Sequence, residues 1–437
     1  MRDILYEYQI NPTTWVYLSS LIIISVYFKF RRFWSVRNLD LLGLILFAPG
    51  LLLVTHDKVT PQQEQLGYVW LFCVGAIFLV RLLLDSMMVR RPMLEPNLSA
   101  SGLAFAGAAM LVFLMGNIVT PRATTSDYEG AQWMDRLFAR QDSPEIRKYL
   151  KEHGPGYPLF FIFSTFSKQT VVPGEQADEA QNRRALTRVA ATRTTAILAH
   201  LAVVLAMVFI GYRHFDNIHT GMAAATLYLL LPYTAQFTPR LDHVVPAALL
   251  IWAIQCYRQP AVAGILVGLA AGVVYYPLYL LPLWGSFYWR RGLIRFSLGV
   301  LGVLVLLIGS LAFTSADFAS FSAQLRQMFG FMSEVLHPEN LKGFWADHQP
   351  AFRLPVFAAY VVLCISMAIW PAQKNLGTLL SCSAAVLLGA QFWKSYEGGT
   401  FMAWYLPLLI LAIFRPNLED RVALSAITEG WVRWRKK

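Results

Sequence analysis

Two carboxylates, Asp127 and Glu129, flank Tyr128 in a long polar stretch of a chain that is otherwise largely apolar. A carboxylate beside a bilayer can serve as a general base toward a hydroxyl when its neighbours position it. Taken alone, a loop acid is ordinarily a solvated surface charge, so the residues around it decide its meaning. Arg193 lies about one turn into the apolar run that follows, with Arg188 roughly a turn earlier. An arginine at that depth is costly without a counter-charge. A phosphate at headgroup level would supply one, because the planar guanidinium donates two parallel hydrogen bonds. Snorkelling to the interface, or pairing with a local acid, would serve equally well.

Two further short segments carry charge. Arg240, Asp242 and His243 sit within six residues, Thr238 to His243, where Arg240 and Asp242 either pair with each other or line an outward cavity. Lys394 and Glu397 flank a turn at Gly398-Gly399, and Tyr405 follows on the returning apolar run. Lys394 is suited to anchor a phosphate, although interfacial anchoring with Trp393, Tyr396 and Trp404 is the plainer account. His214, Asp216 and His219 have metal-like spacing, but no third-ligand pattern or supporting shell accompanies them. A divalent metal is permitted but not indicated. Arg81 and Asp85 stand four apart and read as a helical pair.

The elements that must position these residues are membrane spans. Hydrophobic residues make up 56% of the 437, charged residues 14%, and the mean hydropathy is +0.47. The expected fold is an all-α polytopic membrane protein with about thirteen transmembrane helices: 13–28, 40–55, 67–86, 100–119, 188–211, 219–233, 244–257, 260–275, 277–289, 294–313, 354–371, 376–393 and 401–414. Lys and Arg collect on the cytoplasmic side of short loops. One alternating set of connections and the tail carries eighteen of them, including Lys29, Arg31, Arg32, Arg213, Arg258, Arg291, Lys374 and Arg415. The other set carries only Arg2, Lys58, Arg240 and Lys394. The N-terminus is therefore expected outside and the C-terminus in the cytoplasm of a cell inner or plasma membrane. The long loops 120–186 and 314–353 then face outward.

The net charge of +11 is largely a topology signal, and no basic face suited to nucleic acid is present. Ser143 to Glu152, Tyr157 to Phe166 and the stretch from Phe318 to Phe329 read as amphipathic or interfacial helices on the outer face. Cys73, Cys256, Cys364 and Cys382 fall in apolar runs without ligand spacing and read as small buried hydrophobes. The tail beyond Arg415, with Trp431 and Trp434, reads as a cytoplasmic segment on anionic headgroups.

In order and sidedness, these pieces resemble the GT-C superfamily of integral-membrane glycosyltransferases, of the protein mannosyltransferase and aminoarabinose transferase type. The features carrying the resemblance are Ser126-Asp127-Tyr128-Glu129 in the first large outer loop, then Gly156-Tyr157-Pro158-Leu159, then Arg193 near the start of the next span. A loop acid follows at Asp242, then a Gly-rich span and a Pro-ended span, and finally Lys394 through Tyr405 and Pro407. The resemblance covers roughly Ser101 to Arg415, with three extra helices in 1–99 and a basic tail in 416–437. It implies a hexosyltransferase that moves a sugar from a polyprenyl-phosphate donor to a hydroxyl of a glycan, lipid or protein acceptor, with inversion, at the outer face. Asp127 or Glu129 would be the base. Arg193 and Lys394 would hold the carrier phosphate, with Tyr157, Arg240, Asp242 and Tyr405 lining the substrate site. The pattern departs from the family where His153 is displaced, and where Tyr275-Tyr276-Pro277 replaces a mid-chain Lys.

Two other classes compete with this one. A transporter or flippase for a lipid-linked or polar solute would show broken helices, polar midplane residues and an internal repeat. A non-catalytic membrane partner of such an enzyme would keep the architecture without the chemistry.

Overall fold

Polar residues that cap helices punctuate the apolar runs. In the computed structural model, Asn11 accepts from the backbone N–H groups of Thr13 and Thr14 (3.0 and 3.2 Å) and Pro12 opens α1, Pro12–Tyr27. Ser35 caps α2, Val36–Ile45, which continues past Leu46 into α3, Phe47–Thr55. A reciprocal Thr60/Gln63 box starts α4, Pro61–Leu83, and Ser99 caps α5, Ala100–Val119. Each cap satisfies N–H groups that a helix start leaves bare, and in a bilayer such groups cannot be left to water.

The structure describes residues 11–56, 59–88, 92–120, 177–289, 291–315, 341–371 and 374–418, with a few positions between 317 and 325; over 177–188 it describes backbone alone. The remaining helices are α6 Ala177–His214, α7 Ile218–Leu230, α8 Pro232–Gln236, α9 Leu241–Gln255, α10 Pro260–Val273, α11 Leu281–Phe287, α12 Leu293–Thr314, α13 Arg353–Ile369, α14 Leu376–Trp393 and α15 Leu406–Phe414. No β-strand occurs among the described residues. Seven helical stretches are long and apolar enough to cross a bilayer, and four shorter apolar helices accompany them. The chain is an all-α, multi-pass membrane protein.

Two expected spans are interrupted. The run 277–289 divides into a 3-10 turn, Tyr276–Leu280, and the seven-residue α11, with Pro277 and Pro282 at the two starts. The run 401–414 divides into a 3-10 turn, Met402–Trp404, and the nine-residue α15, which Pro407 opens. A proline at the first turn costs no hydrogen bond, but it cannot continue a helix already under way.

Hydrogen bonds between elements sort the connections into two ends. At one end Arg193 donates to Val119 O (2.8 Å), Asn117 to Ala235 O (3.4 Å), Gln65 to Phe344 O (2.8 Å), and Arg353 to Trp393 O (2.8 and 3.1 Å). At the other, Asn97 N–H reaches Val26 O (2.6 Å), Arg37 donates to Glu95 O (3.2 Å), and Tyr288 Oη to Tyr257 O (2.6 Å). His214 Nε2 lies 3.0 Å from Gln255 O there, an ordinary packing contact for a residue with metal-like spacing. Lys29 pairs with Glu95 at this second end, which holds the carboxyl of Glu95 below its usual range.

The second end also holds a buried ion cluster. Arg81 grips Asp40 with two donors, each at 3.2 Å, and lies 3.9 Å from Asp85. Arg415 donates to Asp85 at 2.8 Å, with side-chain exposures of 3% and 1%. Among the described residues, the Arg81–Asp85 helical pair is thus joined to Asp40 and Arg415 in a cluster that links α2, α4 and the end of α15.

One hydrophobic core runs from Trp15 on α1 to Leu418, so the first helices are built into the same body as the last. α14 is buried along nearly its whole length, whereas α5, α12 and α13 present Phe105, Val112, Leu301, Leu306, Val362 and Ile365 outward. Of the cysteines, Cys364 and Cys382 are buried, but Cys73 is exposed and Cys256 only half-buried, as lipid-facing positions permit.

α10 and α12 approach so closely that glycine is required. A Cβ at Gly264 would overlap Phe296 O, and one at Gly299 would overlap Ala261 O. Small residues let membrane helices pack backbone to backbone. Gly264→Leu is expected to destabilise the fold by about 1–3 kcal/mol or more. Gly302→Leu, at a position with nothing within 4 Å, should leave the detergent-solubilised unfolding midpoint unchanged. Equal midpoints for the two variants would remove the close-packing argument.

Candidate functional site

α14 ends at Trp393, and Lys394 caps it before the chain turns through Ser395–Thr400. The turn needs left-handed backbone at Glu397 (φ 48°) and Gly399 (φ 95°). It is held by Gly399 N–H on Gln391 Oε1 (3.2 Å) and by Thr400 Oγ1 on Glu397 O (2.8 Å). A second loop runs alongside it. Lys342 N–H donates to Ser395 O (3.1 Å) and Glu397 N–H donates to Lys342 O (3.0 Å). A non-glycine residue with positive φ carries strain that the surrounding contacts must hold. Here those contacts aim the Glu397 carboxylate.

That carboxylate joins three elements. Lys342 Nζ donates to Oε1 at 2.6 Å, and Arg240 Nη1 lies 3.4 Å from Oε2. Arg240, immediately before α9, also grips Asp242 through Nη2 (2.9 Å) and Nε (3.3 Å). Of the two roles open to Arg240 and Asp242 in the sequence, the pairing is therefore realised. Burial works against the Arg240 cation, yet the charges of Asp242 and Glu397 raise its pKa above the ordinary arginine value. Lys342 is likewise raised, burial being more than offset by its hydrogen bond to Glu397.

Lys394 is buried in an aromatic enclosure. Its Nζ sits 4.0 Å from the Phe401 centroid and 5.6 Å from each of Tyr276 and Tyr396, and donates to Tyr396 O at 2.9 Å. Arg240 shares the Phe401 ring, with Cζ 5.6 Å from its centroid. Aromatic faces attract cations and keep them partly desolvated, which strengthens their interaction with an arriving anion. Trp404 Nε1 donates to Asp242 O (2.9 Å) and ties the start of α9 to the turn before α15. Below this layer, Tyr233 Oη and His243 Nδ1 lie 2.6 Å apart. A narrow apolar crevice beside Tyr233 is lined by Leu44 and Phe47 on one side and Met402 and Leu406 on the other.

Of the sequence-derived site residues, Arg240, Asp242 and Lys394 thus come together around Phe401 and Glu397. Arg193 is at the same end of the molecule, docked on the last turn of α5 through Val119. Tyr405 is 1% exposed at the start of α15, two residues beyond Ala403, whose backbone contacts Tyr233. Asp127, Glu129 and Tyr157 lie outside the described residues, as do the amphipathic segments expected in 143–152 and 157–166. Lys342 was not singled out by the sequence, because its partner Glu397 lies 55 positions away. His243 and Tyr233 sit ten residues apart, across the break between α8 and α9. Among the described residues no group of three His, Cys, Asp or Glu side chains is placed to hold a metal ion.

No protein-family model, curated protein or solved structure matches the chain.

Proposed function

We propose that this protein is a membrane glycosyltransferase of the GT-C kind. It transfers a sugar from a polyprenyl-phosphate-linked donor to a hydroxyl acceptor at the outer face, with inversion. In this reading about thirteen segments cross the membrane, the N-terminus is outside and the C-terminus is cytoplasmic. One observation carries the proposal. The chain leaves α5 toward Asp127 and Glu129, and returns into α6, at the end of the bundle that holds the Arg240–Asp242–Glu397–Lys342 cluster and Lys394.

Asp127 or Glu129 takes the proton of the acceptor hydroxyl as its oxygen attacks the anomeric carbon. The bond from that carbon to the carrier phosphate breaks, and negative charge develops on the leaving phosphate. Fixed cations aimed at that charge stabilise the transition state more than the ground state. Lys394, poised over Phe401, and Arg193 are the groups assigned to it. Arg240, Asp242, Tyr157 and Tyr405 shape the surrounding substrate site.

A specific observation also supports a second reading, as a transporter or flippase for a lipid-linked or polar solute. The interrupted elements at 276–287 and 402–414 resemble the discontinuous helices on which such proteins build binding sites. The charged residues near these breaks, however, gather at one end of the bundle, where a surface reaction needs them. The test is to supply purified protein in nanodiscs with a polyprenyl-phosphate-linked hexose and a hydroxyl acceptor, and to measure product by mass. Product supports the transferase. Movement of intact donor between leaflets without product would replace it with the flippase, and neither product nor movement would leave the non-catalytic partner.

A further inference from the structure

The end cluster contains a buried polar atom without a partner. His243 is 1% exposed, with its ring between Phe237 (centroids 4.9 Å apart, planes at 10°) and Phe401 (4.3 Å, 26°). The Tyr233 hydroxyl lies 2.6 Å from His243 Nδ1. With the Tyr233 hydroxyl as donor, Nδ1 accepts and the imidazole N–H sits on Nε2, the side on which the Asp242 carboxylate 3.8 Å away favours a proton. That Nε2 is buried and makes no hydrogen bond. A donor in this state carries a desolvation cost that a ligand or a movement could relieve.

Asp242 is the acceptor closest to hand. Its Oδ2 lies 3.8 Å from Nε2, about 1 Å beyond hydrogen-bond distance, and is meanwhile held by Arg240 at 2.9 Å. Exposure is graded across the cluster. The side chain of Lys342 is 52% exposed and that of Arg240 35%, against 11% for Asp242. The cations can be reached from outside, whereas the carboxylate is sheltered behind Arg240. Among the described residues, Arg240, Lys342 and Lys394 outnumber Asp242 and Glu397 by one positive charge, which favours an anionic visitor.

We propose that Arg240, Asp242 and His243 form an exchangeable clamp for an oxyanion of the phosphate class. The arriving anion takes the Arg240 guanidinium and a second N–H of Lys342, displacing Glu397 from its 3.4 Å contact with Arg240 while Lys342 keeps its 2.6 Å bond to Glu397. Asp242, released, closes onto the waiting Nε2–H of His243. No covalent bond is made or broken. The buried carboxylate keeps a donor in both states, and the buried imidazole gains an acceptor in the bound one. Partner exchange of this kind lets a paired arginine accept a ligand without stranding the acid it leaves. The clamp lies in the cluster assigned above to substrate, but it requires no sugar transfer, so the two proposals can fail separately.

The experiment uses the full chain in maltoside detergent, titrated calorimetrically with inorganic phosphate and, separately, with dodecyl phosphate. A Kd in about the millimolar range or tighter is expected for at least one of them. Binding of inorganic phosphate supports a site for free oxyanion, binding of dodecyl phosphate alone a site for lipid-borne phosphate, and binding of neither overturns the clamp. His243→Phe keeps the stacked ring but removes the Nε2–H, and should weaken binding about tenfold. His243→Gln restores an N–H donor near the Nε2 position and should stay within about threefold of the unaltered protein. Equal losses in the two variants, or none in His243→Phe, would refute the exchange. A readout free of substitutions guards against misfolding: in the protein labelled with ¹⁵N-histidine, phosphate should shift the Nε2 signal of one of its eight histidines. An unchanged histidine spectrum on saturation overturns the proposal.

Discussion

Asp127→Asn is expected to lower sugar transfer by about 10²–10⁴-fold while leaving the unfolding midpoint unchanged. The first part is the usual contribution of a positioned general base. The second follows because the residue lies in a polar stretch of the sequence between the apolar runs of α5 and α6. Asparagine keeps the shape and loses the proton-accepting charge, so the comparison isolates chemistry from packing. Glu129→Gln is the paired experiment, since the two acids flank a single tyrosine. Whichever substitution costs more identifies the base, and the other should change transfer by less than about tenfold. Undiminished transfer by both variants would remove the acidic pair from the mechanism.

Arg415→Ala should destabilise the fold by about 3–5 kcal/mol, read as a lowered unfolding midpoint in one detergent. Its guanidinium lies 2.8 Å from a carboxylate whose side chain is 1% exposed. Arg81 cannot substitute for it, because both of its close contacts go to Asp40 and it stands 3.9 Å from Asp85. Removing the arginine takes away the 2.8 Å partner of a carboxylate that is 1% exposed, and breaking a buried pair from one side costs more than the pair contributes when intact. The double variant Arg415→Leu with Asp85→Leu should recover most of the loss, because both charges leave together. If the two losses simply add, the pair is not the cause. Gly377 belongs to the same cluster, since a Cβ there would collide with the Arg415 guanidinium.

Much of this architecture was legible before any coordinates. Hydropathy placed a helical element over each of the thirteen runs, and the charge bias grouped the connections in the same alternation as the hydrogen bonds between elements. Breaks within a run were harder to see. Tyr276–Phe287 and Met402–Phe414 are as apolar as their neighbours, so hydropathy merges them, although Pro277, Pro282 and Pro407 marked where a helix could not continue. At the site, adjacency along the chain was informative and distance along it was not. Arg240 and Asp242, two residues apart, could be read as a pair. Lys342 with Glu397, and Asp85 with Arg415, could not, because their meeting depends on how loops and helix ends stack in three dimensions. The cysteines show a related limit. In lipid an apolar position can face outward at little cost, so hydropathy does not separate Cys73 from Cys364.

The Asp85–Arg415 contact spans 330 positions, from just past the end of α4 to the end of α15. A nascent chain enters the bilayer from its N-terminus, so Asp40, Arg81 and Asp85 are made long before Arg415 exists. Until α15 is complete, Asp85 lacks the arginine that lies 2.8 Å from it in the folded chain, and an acid close to the bilayer edge is costly. Insertion of the early helices is thus provisional. The cluster turns α15 into a keystone for biogenesis: a chain stopped short of Arg415 lacks a charge that the finished protein sets against Asp85, and so differs from it electrically.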